Sequence, residues 1–194
     1  YVMTAVKKAG IKFDFLDIDL YEHSDEWLES YFAENHFDIL AFGAISTHYK
    51  WCKWFAKMIK SKQPGCKLIV GNSVGDTIPE LFIKKTNTDI IVRGEGDVTI
   101  VEVLKHLIEN KSLAGVEGIY YLNENGEIIE NPIRKAANID DMGMPDWELF
   151  EIKKYIAFTQ DTATLGIDSS EMQLKTLPII TARGCVFKCT FCHY

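Results

Sequence analysis

The chain has no uninterrupted apolar stretch long enough to cross a bilayer, and it does not open on a charged-then-apolar leader. The expectation is therefore a protein without a membrane span or signal peptide. A basic excess is also missing: 21 Lys and Arg stand against 28 Asp and Glu, for a net charge of −7. With no basic cluster either, nucleic acid is excluded as the main partner. No internal repeat occurs. Cysteine is sparse, five in all, and Cys52 and Cys66 stand alone. What is present, 47% hydrophobic and 25% charged residues over 194 positions, suffices for one sizeable core and an appendage.

The other three cysteines crowd into Cys185-Val186-Phe187-Lys188-Cys189-Thr190-Phe191-Cys192, after the apolar run Leu177 to Ile180. Three thiols on one short loop can converge on a single metal centre, because thiolates are the soft ligands that zinc and iron–sulfur clusters select. A disulfide would leave the third unpaired. The spacing is neither the paired CxxC of a zinc ribbon nor the four-cysteine set of a ferredoxin. Zinc, with His193 as a fourth ligand, would place two ligands side by side at Cys192 and His193, which suits a tetrahedral site poorly. Clustered thiols need a reducing compartment, so the expected location is the cytoplasm.

CxxxCxxC resembles the signature of the radical S-adenosylmethionine (SAM) enzymes. The resemblance extends to Pro178-Ile179-Ile180-Thr181-Ala182-Arg183-Gly184, similar to the first barrel strand and its turn, and to Phe191, the aromatic before the third cysteine. It implies that Cys185, Cys189 and Cys192 bind three irons of a [4Fe-4S] cluster, that the fourth iron chelates SAM, and that Phe191 lies near the adenine. It also implies a barrel with many more strands than this sequence holds, so the chain is expected to be a fragment, inert by itself.

In chain order, strand-like and helix-like segments alternate. Helical spacing of Val2, Ala5, Val6 and Ala9 ends at Gly10; residues 12–18 read as a strand; Ser24 caps a helix through Asn35. Residues 38–46 read as a buried strand and 48–62 as a helix whose Trp51, Trp54 and Phe55 face the core rather than a cofactor. Residues 67–71 and 89–92 are strands, 77–85 a helix, and Asp97 caps a helix to Asn110. This predicts an α/β, doubly wound parallel sheet of flavodoxin or Rossmann-like type over residues 1–112. A β-hairpin extension follows over 113–135, turning at Asn125-Gly126. A linker runs over 136–175, and 176–194 begins the barrel.

Ligands of open parallel sheets bind at the carboxyl ends of the strands. Those ends are Asp17 to Leu20, Ser46-Thr47-His48, Gly71-Asn72-Ser73 with Val74-Gly75, and Gly94-Glu95-Gly96. Glycine there lets backbone approach a ligand, although each glycine alone reads first as a turn. Glu95 divides evenly between a ligand contact and a helix cap. Asp17 and Asp19 read as solvated carboxylates rather than an acid/base pair.

Taken together these loops resemble the cobalamin-binding domain found upstream of many radical SAM barrels. Its Ser/Thr, Gly-Gly and Gly-Glu-Gly-Glu loops correspond to Ser46-Thr47, Gly71-Asn72-Ser73 and Gly94-Glu95-Gly96-Asp97, with Asn72 and Asp97 as departures. Asn72 is expected to narrow the cleft for the cobalamin nucleotide tail. The flavodoxin-like order 2-1-3-4-5 puts a first strand at the centre of the sheet, whereas this chain opens on the helix that should follow it. No DxHxxG motif occurs, so no histidine lower ligand is expected, and His23, His36 and His48 read as solvated or loop-structuring.

The resemblance implies a cobalamin-dependent radical SAM enzyme, with cobalamin, a [4Fe-4S] cluster and SAM as cofactors. A methyltransferase is the leading reading; a cyclase acting on magnesium-protoporphyrin monomethyl ester is the alternative. The partners it implies are a small-molecule or peptide substrate held by the barrel and an electron donor such as flavodoxin or ferredoxin. Two further alternatives are a flavodoxin-like module that binds a ligand without chemistry and a zinc-dependent interaction protein.

Overall fold

The computed structural model describes residues 1–161 together with Arg183, Phe187, Cys189 and Thr190. Helix α1 (Val2–Lys8) carries Lys7 and Lys8 in its last turn, where cations complement the negative end of a helix, and Gly10 at φ +74° turns the chain away. Helix α2 (Asp25–Glu34) is capped as expected by Ser24, whose hydroxyl accepts the Trp27 N–H at 3.2 Å. There follow β1 (Ile39–Gly43), a 3-10 turn at Ser46–His48, α3 (Tyr49–Lys62), β2 (Lys67–Gly71), α4 (Ser73–Asp76), α5 (Pro79–Thr86), β3 (Ile90–Val92) and α6 (Gly96–Ile108). The hairpin is β4 (Ile119–Leu122) and β5 (Ile128–Glu130), and the connector contains α7 (Ile139–Met142) and α8 (Ile152–Asp161). The helix read over 77–85 is α5, which starts at Pro79 because proline suits the first position of a helix, and the loop read before it holds a further short helix, α4.

The sheet runs β1-β2-β3-β4-β5. Its first three strands are parallel, as the alternation of strands and helices predicts, with Gly43 opposite Gly71 and Val70 opposite Ile91. The hairpin does not stand apart: β4 pairs antiparallel with β3, so the sheet is mixed. Alternate residues of each strand face opposite layers. Ile69, Ile90, Val92, Ile119 and Tyr121 pack with Val6 of α1 and Val103 of α6. Val70, Ile91 and Tyr120 pack with Cys52 of α3 and with Phe82 and Ile83 of α5. Phe55 belongs to a third cluster with Leu28 and Phe32, and Trp51 stacks on it at 4.9 Å, so the aromatic stripe of α3 is core packing as its spacing predicts. Fully burying each such side chain is worth about 1.5–3 kcal/mol.

Residues 12–18 correct the sequence reading. Their β-rich pattern predicts a strand, yet they form none. A strand is defined by its ladder, and no described strand pairs with this segment; β1 is the sheet edge. The apolar side chains are still used: Ile11 and Phe13 pack on one core, Leu16 and Ile18 on another.

The connector folds back onto the start of the chain. The Lys7 ammonium meets the Asp146 carboxylate at 2.6 Å, and the Asp146 N–H donates to Thr4 Oγ1 at 2.8 Å. Phe150 packs edge-on against Phe15 at 5.6 Å. The Tyr155 hydroxyl donates to Asp17, which also accepts the Leu20 N–H at 2.9 Å. Asp17 is thereby a structural acceptor rather than the solvated carboxylate read from the sequence. No helix among the described residues is long and apolar enough to cross a membrane.

Candidate functional site at the carboxyl edge of the sheet

Because β1, β2 and β3 are parallel, their carboxyl ends at Gly43, Gly71 and Val92 share one edge, and three of the four loops predicted to bind a ligand start there; Asp17 to Leu20 follows no strand. Glycine at 43 has a specific cause. A Cβ on it would lie 3.2 Å from the Gly71 carbonyl oxygen and 3.4 Å from Asn72 Cβ, so the space a side chain would take is filled by the neighbouring loop. A Cβ on Gly71, by contrast, would meet nothing within 4 Å. The edge is open at that point.

Two loops are tied across this edge. Ser46 donates its backbone N–H and its hydroxyl to Ser73 Oγ, each at 3.1 Å, and the Val74 N–H donates to the Ala44 carbonyl at 3.0 Å. A serine hydroxyl has two lone pairs and one proton. Ser46 occupies both lone pairs of Ser73, which leaves the Ser73 proton for an acceptor outside the loop.

Asn72 sits at φ +64°, ψ 179°, a backbone region that glycine reaches freely and other residues occupy at a cost of about 1–3 kcal/mol. Its side-chain oxygen accepts the Ser73 N–H at 2.6 Å and caps the short α4. The asparagine side chain is thus folded onto its own loop, and Gly43 provides the room beside it.

The third loop is fixed from behind. The Arg93 guanidinium reaches Asp76 at 3.3 Å and Glu130 at 2.7 Å and lies 4.9 Å above the Tyr120 ring, while the Gly94 N–H donates to the other Asp76 oxygen at 3.3 Å. Gly94 at φ +58° is in left-handed backbone with open space around it. Neither Glu95 nor Asp97 caps α6 by a side-chain hydrogen bond, which corrects the capping role read for Asp97. Asp97 is instead buried, 5% exposed, and its Oδ2 accepts from Arg183 at 2.6 Å. Its Oδ1 is buried with no hydrogen-bond partner among the described residues. A cavity of about 180 Å³ opens beside this loop, walled by Glu95, Asp97, Val98, Arg134 and Lys135.

The structure thus brings Ser46, Asn72 and Ser73 into one hydrogen-bonded corner, with Gly71 beneath it, and sets Gly94, Glu95 and Gly96 farther along the same edge. Thr47 and His48 lie in the 3-10 turn and are exposed. Cys185, Cys192 and Phe191 fall outside the described residues; Cys189 is an exposed free thiol. No group of three or more His, Cys, Asp or Glu able to hold a metal is formed among the described residues. Sequence reasoning missed Asp76, Arg93, Glu130 and Arg183. Only Arg93 and Arg183 carried a local signal, each standing immediately before a glycine of a loop already singled out.

Comparison with known proteins bears on the family and the fold. Residues 1–104 match the family described as B12 binding domain. An uncharacterized methyltransferase of Pyrococcus horikoshii is 30% identical over 139 residues, covering 71% of this chain and 27% of that protein. The anaerobic magnesium-protoporphyrin IX monomethyl ester cyclase of Rubrivivax gelatinosus is 25% identical over 159 residues, covering 80% and 26%. The chain therefore spans about a quarter of the length of these curated relatives. Among solved structures, the radical S-adenosylmethionine methyltransferase TsrM of Kitasatospora setae, with cobalamin and a [4Fe-4S] cluster bound, superposes with a TM-score of 0.58 at 19% identity over 68% of this chain and 26% of that one. The cobalamin-dependent S-adenosylmethionine radical enzyme OxsB, with aqua-cobalamin and S-adenosylmethionine bound, gives 0.60 at 20% identity over 70% and 19%. These likenesses establish the shared α/β fold.

Proposed function

The chain belongs to the B12-binding domain family, and from that premise we propose that it holds cobalamin across the edge formed by Ser46, Thr47, His48, Gly71, Asn72, Ser73, Gly94, Glu95 and Gly96. It does so as part of a cobalamin-dependent radical SAM methyltransferase. The observation that carries the reading is the corner at Ser46 and Ser73. It offers one unspent hydroxyl proton above a glycine whose missing Cβ leaves open space, which is what a bulky ligand rich in amide oxygens requires of a strand edge. Asn72 is compatible with this because its side chain is engaged with Ser73.

Cobalamin supplies methyl transfer, and a cluster with SAM supplies a carbon-centred radical. The chain's own residues bind and orient. Ser73 donates to an acceptor on the ligand, and Gly71 and Gly94 admit it to the backbone. Cys185, Cys189 and Cys192 would supply three thiolates, a donor set suited to a [4Fe-4S] cluster, and Phe191 would contribute to binding SAM. A flavodoxin or ferredoxin delivers the electron, the substrate is a small molecule or peptide, and the location is the cytoplasm. The methyltransferase reading is preferred to the cyclase reading because the Pyrococcus relative is 30% identical against 25% for the cyclase.

Cobalamin retention tests the first half of this proposal. Anaerobic reconstitution of the natural full-length protein with iron and sulfide tests the second. About four irons and four sulfides per chain are expected, lost on Cys185→Ala, Cys189→Ala or Cys192→Ala. Zinc without sulfide contradicts it.

A further inference from the structure

Arg183 lies 86 residues beyond Asp97 and two before Cys185, yet its guanidinium is packed into the Gly94–Asp97 corner. Nη1 donates to Asp97 Oδ2 at 2.6 Å and lies 3.7 Å from Glu95 Oε2, and the group stacks 4.2 Å over the Tyr1 ring. The arginine side chain is 16% exposed and that of Asp97 6%. Two carboxylates from the start of one helix, with one cation between them and an aromatic face beneath, match the planar, always-charged guanidinium and not an ammonium.

We propose that Arg183 is a positioning residue, a clasp that holds the approach to the cysteine loop against the third ligand loop of the cofactor edge. The inference rests on the functional reading above for what the two loops carry, but the clasp itself is a matter of charge and packing. Two residues of chain span at most about 7 Å, so an anchor at residue 183 limits how far from it the first cysteine of the motif can lie. A change in the Gly94–Asp97 loop when a ligand seats on it then reaches residue 183 through its ion pairs with Glu95 and Asp97. Asp97 suits this role better than a longer carboxylate: it is already buried in the first turn of α6, so the arginine must come to it.

Hydrogen–deuterium exchange on the chain, read on the peptide containing Arg183, tests the clasp without any cofactor. In Arg183→Gln and Asp97→Asn that peptide is expected to exchange at least tenfold faster, with β2 and β3 unchanged. The double variant exchanges no faster than Arg183→Gln alone, because that variant already removes the contact with Asp97. Arg183→Lys restores only part of the protection. Unchanged exchange in Arg183→Gln overturns the proposal, and that variant carries the test if Asp97→Asn fails to fold, since it leaves the core cluster around α6 intact. A second reading adds hydroxocobalamin. Bound corrin slows exchange at Arg183 in the wild type and has no such effect in Asp97→Asn that still retains corrin; equal slowing in both contradicts coupling through the clasp. Corrin retention is scored separately by absorbance, so loss of binding counts against the cobalamin site and altered exchange against the clasp.

Discussion

Ser46 and Ser73, 27 residues apart in sequence, meet hydroxyl to hydroxyl at 3.1 Å across the ends of neighbouring parallel strands. The contact spends the acceptor capacity of Ser73 and keeps its proton for a ligand. Ser73→Ala removes both interactions with Ser46 at once. It is expected to cost about 1 kcal/mol of stability, the usual net worth of such a hydrogen bond, and to weaken cobalamin binding. Chemical denaturation with a parallel corrin titration checks both effects.

Asn72 is held where glycine is at ease. Asn72→Gly relieves backbone strain of about 1–3 kcal/mol and loses a cap that glycine replaces at a cost of a few tenths. Greater freedom of the unfolded chain offsets about 0.4–1 kcal/mol of the gain. The expected outcome is a protein at least as stable as the wild type by urea denaturation. Asn72→Val, β-branched at positive φ, is expected to lose stability in the same assay.

The strand ends were legible in the sequence because hydrophobic runs report packing, and β2 and β3 are largely buried; β1, read as a buried strand, is instead the sheet edge, and its residues are half-buried or exposed. The same signal misled at residues 12–18. Ile11, Phe13, Leu16 and Ile18 alternate because they pack on two cores, and packing leaves the same pattern whether or not a ladder forms. The Arg93–Asp76, Arg93–Glu130 and Arg183–Asp97 pairs join residues 17, 37 and 86 positions apart. No local period encodes a partner that the topology chooses. Asp97 could be read as a cap from its place before a helix; only the fold reveals that an arginine claims it.

The clamp between Lys7 and Asp146 responds to pH. The hydrogen bond from Lys7 holds the Asp146 carboxyl below its ordinary value, and the same bond raises Lys7. A carboxyl depressed in the folded state stabilises above its unfolded pKa and loses that effect as pH falls through the folded value; a raised lysine loses it as pH rises through its own. The contact should therefore persist across the range between the ordinary carboxylate and lysine values. Hydrogen exchange of residues 144–155 is expected to be slow at neutral pH and to quicken, relative to the intrinsic rate, only under strong acid or strong alkali. Lys7→Ala removes the protection at neutral pH.

Cys52 and Cys66 are buried, and burial pushes the Cys52 thiol up to about 11 and raises Cys66. Native alkylation at pH 8, mapped by mass spectrometry, is expected to label exposed Cys189 and spare these two. Because the Cys52 pKa is raised, its neutral form contributes stability fully below the unfolded value near 9, and that contribution is lost as pH rises from there to about 11. Cys52→Ala should flatten the fall in stability over that window.

The central claim is that the Ser46, Gly71 and Gly94 edge holds cobalamin, and a titration of the chain with hydroxocobalamin, followed by desalting and ultraviolet–visible spectroscopy, tests it most directly. Retained corrin absorbance in a base-off spectrum near one equivalent per chain, lost in Gly71→Leu while the fold persists by circular dichroism, is the predicted result. Absence of corrin from the wild-type chain, or equal retention by Gly71→Leu, would contradict it.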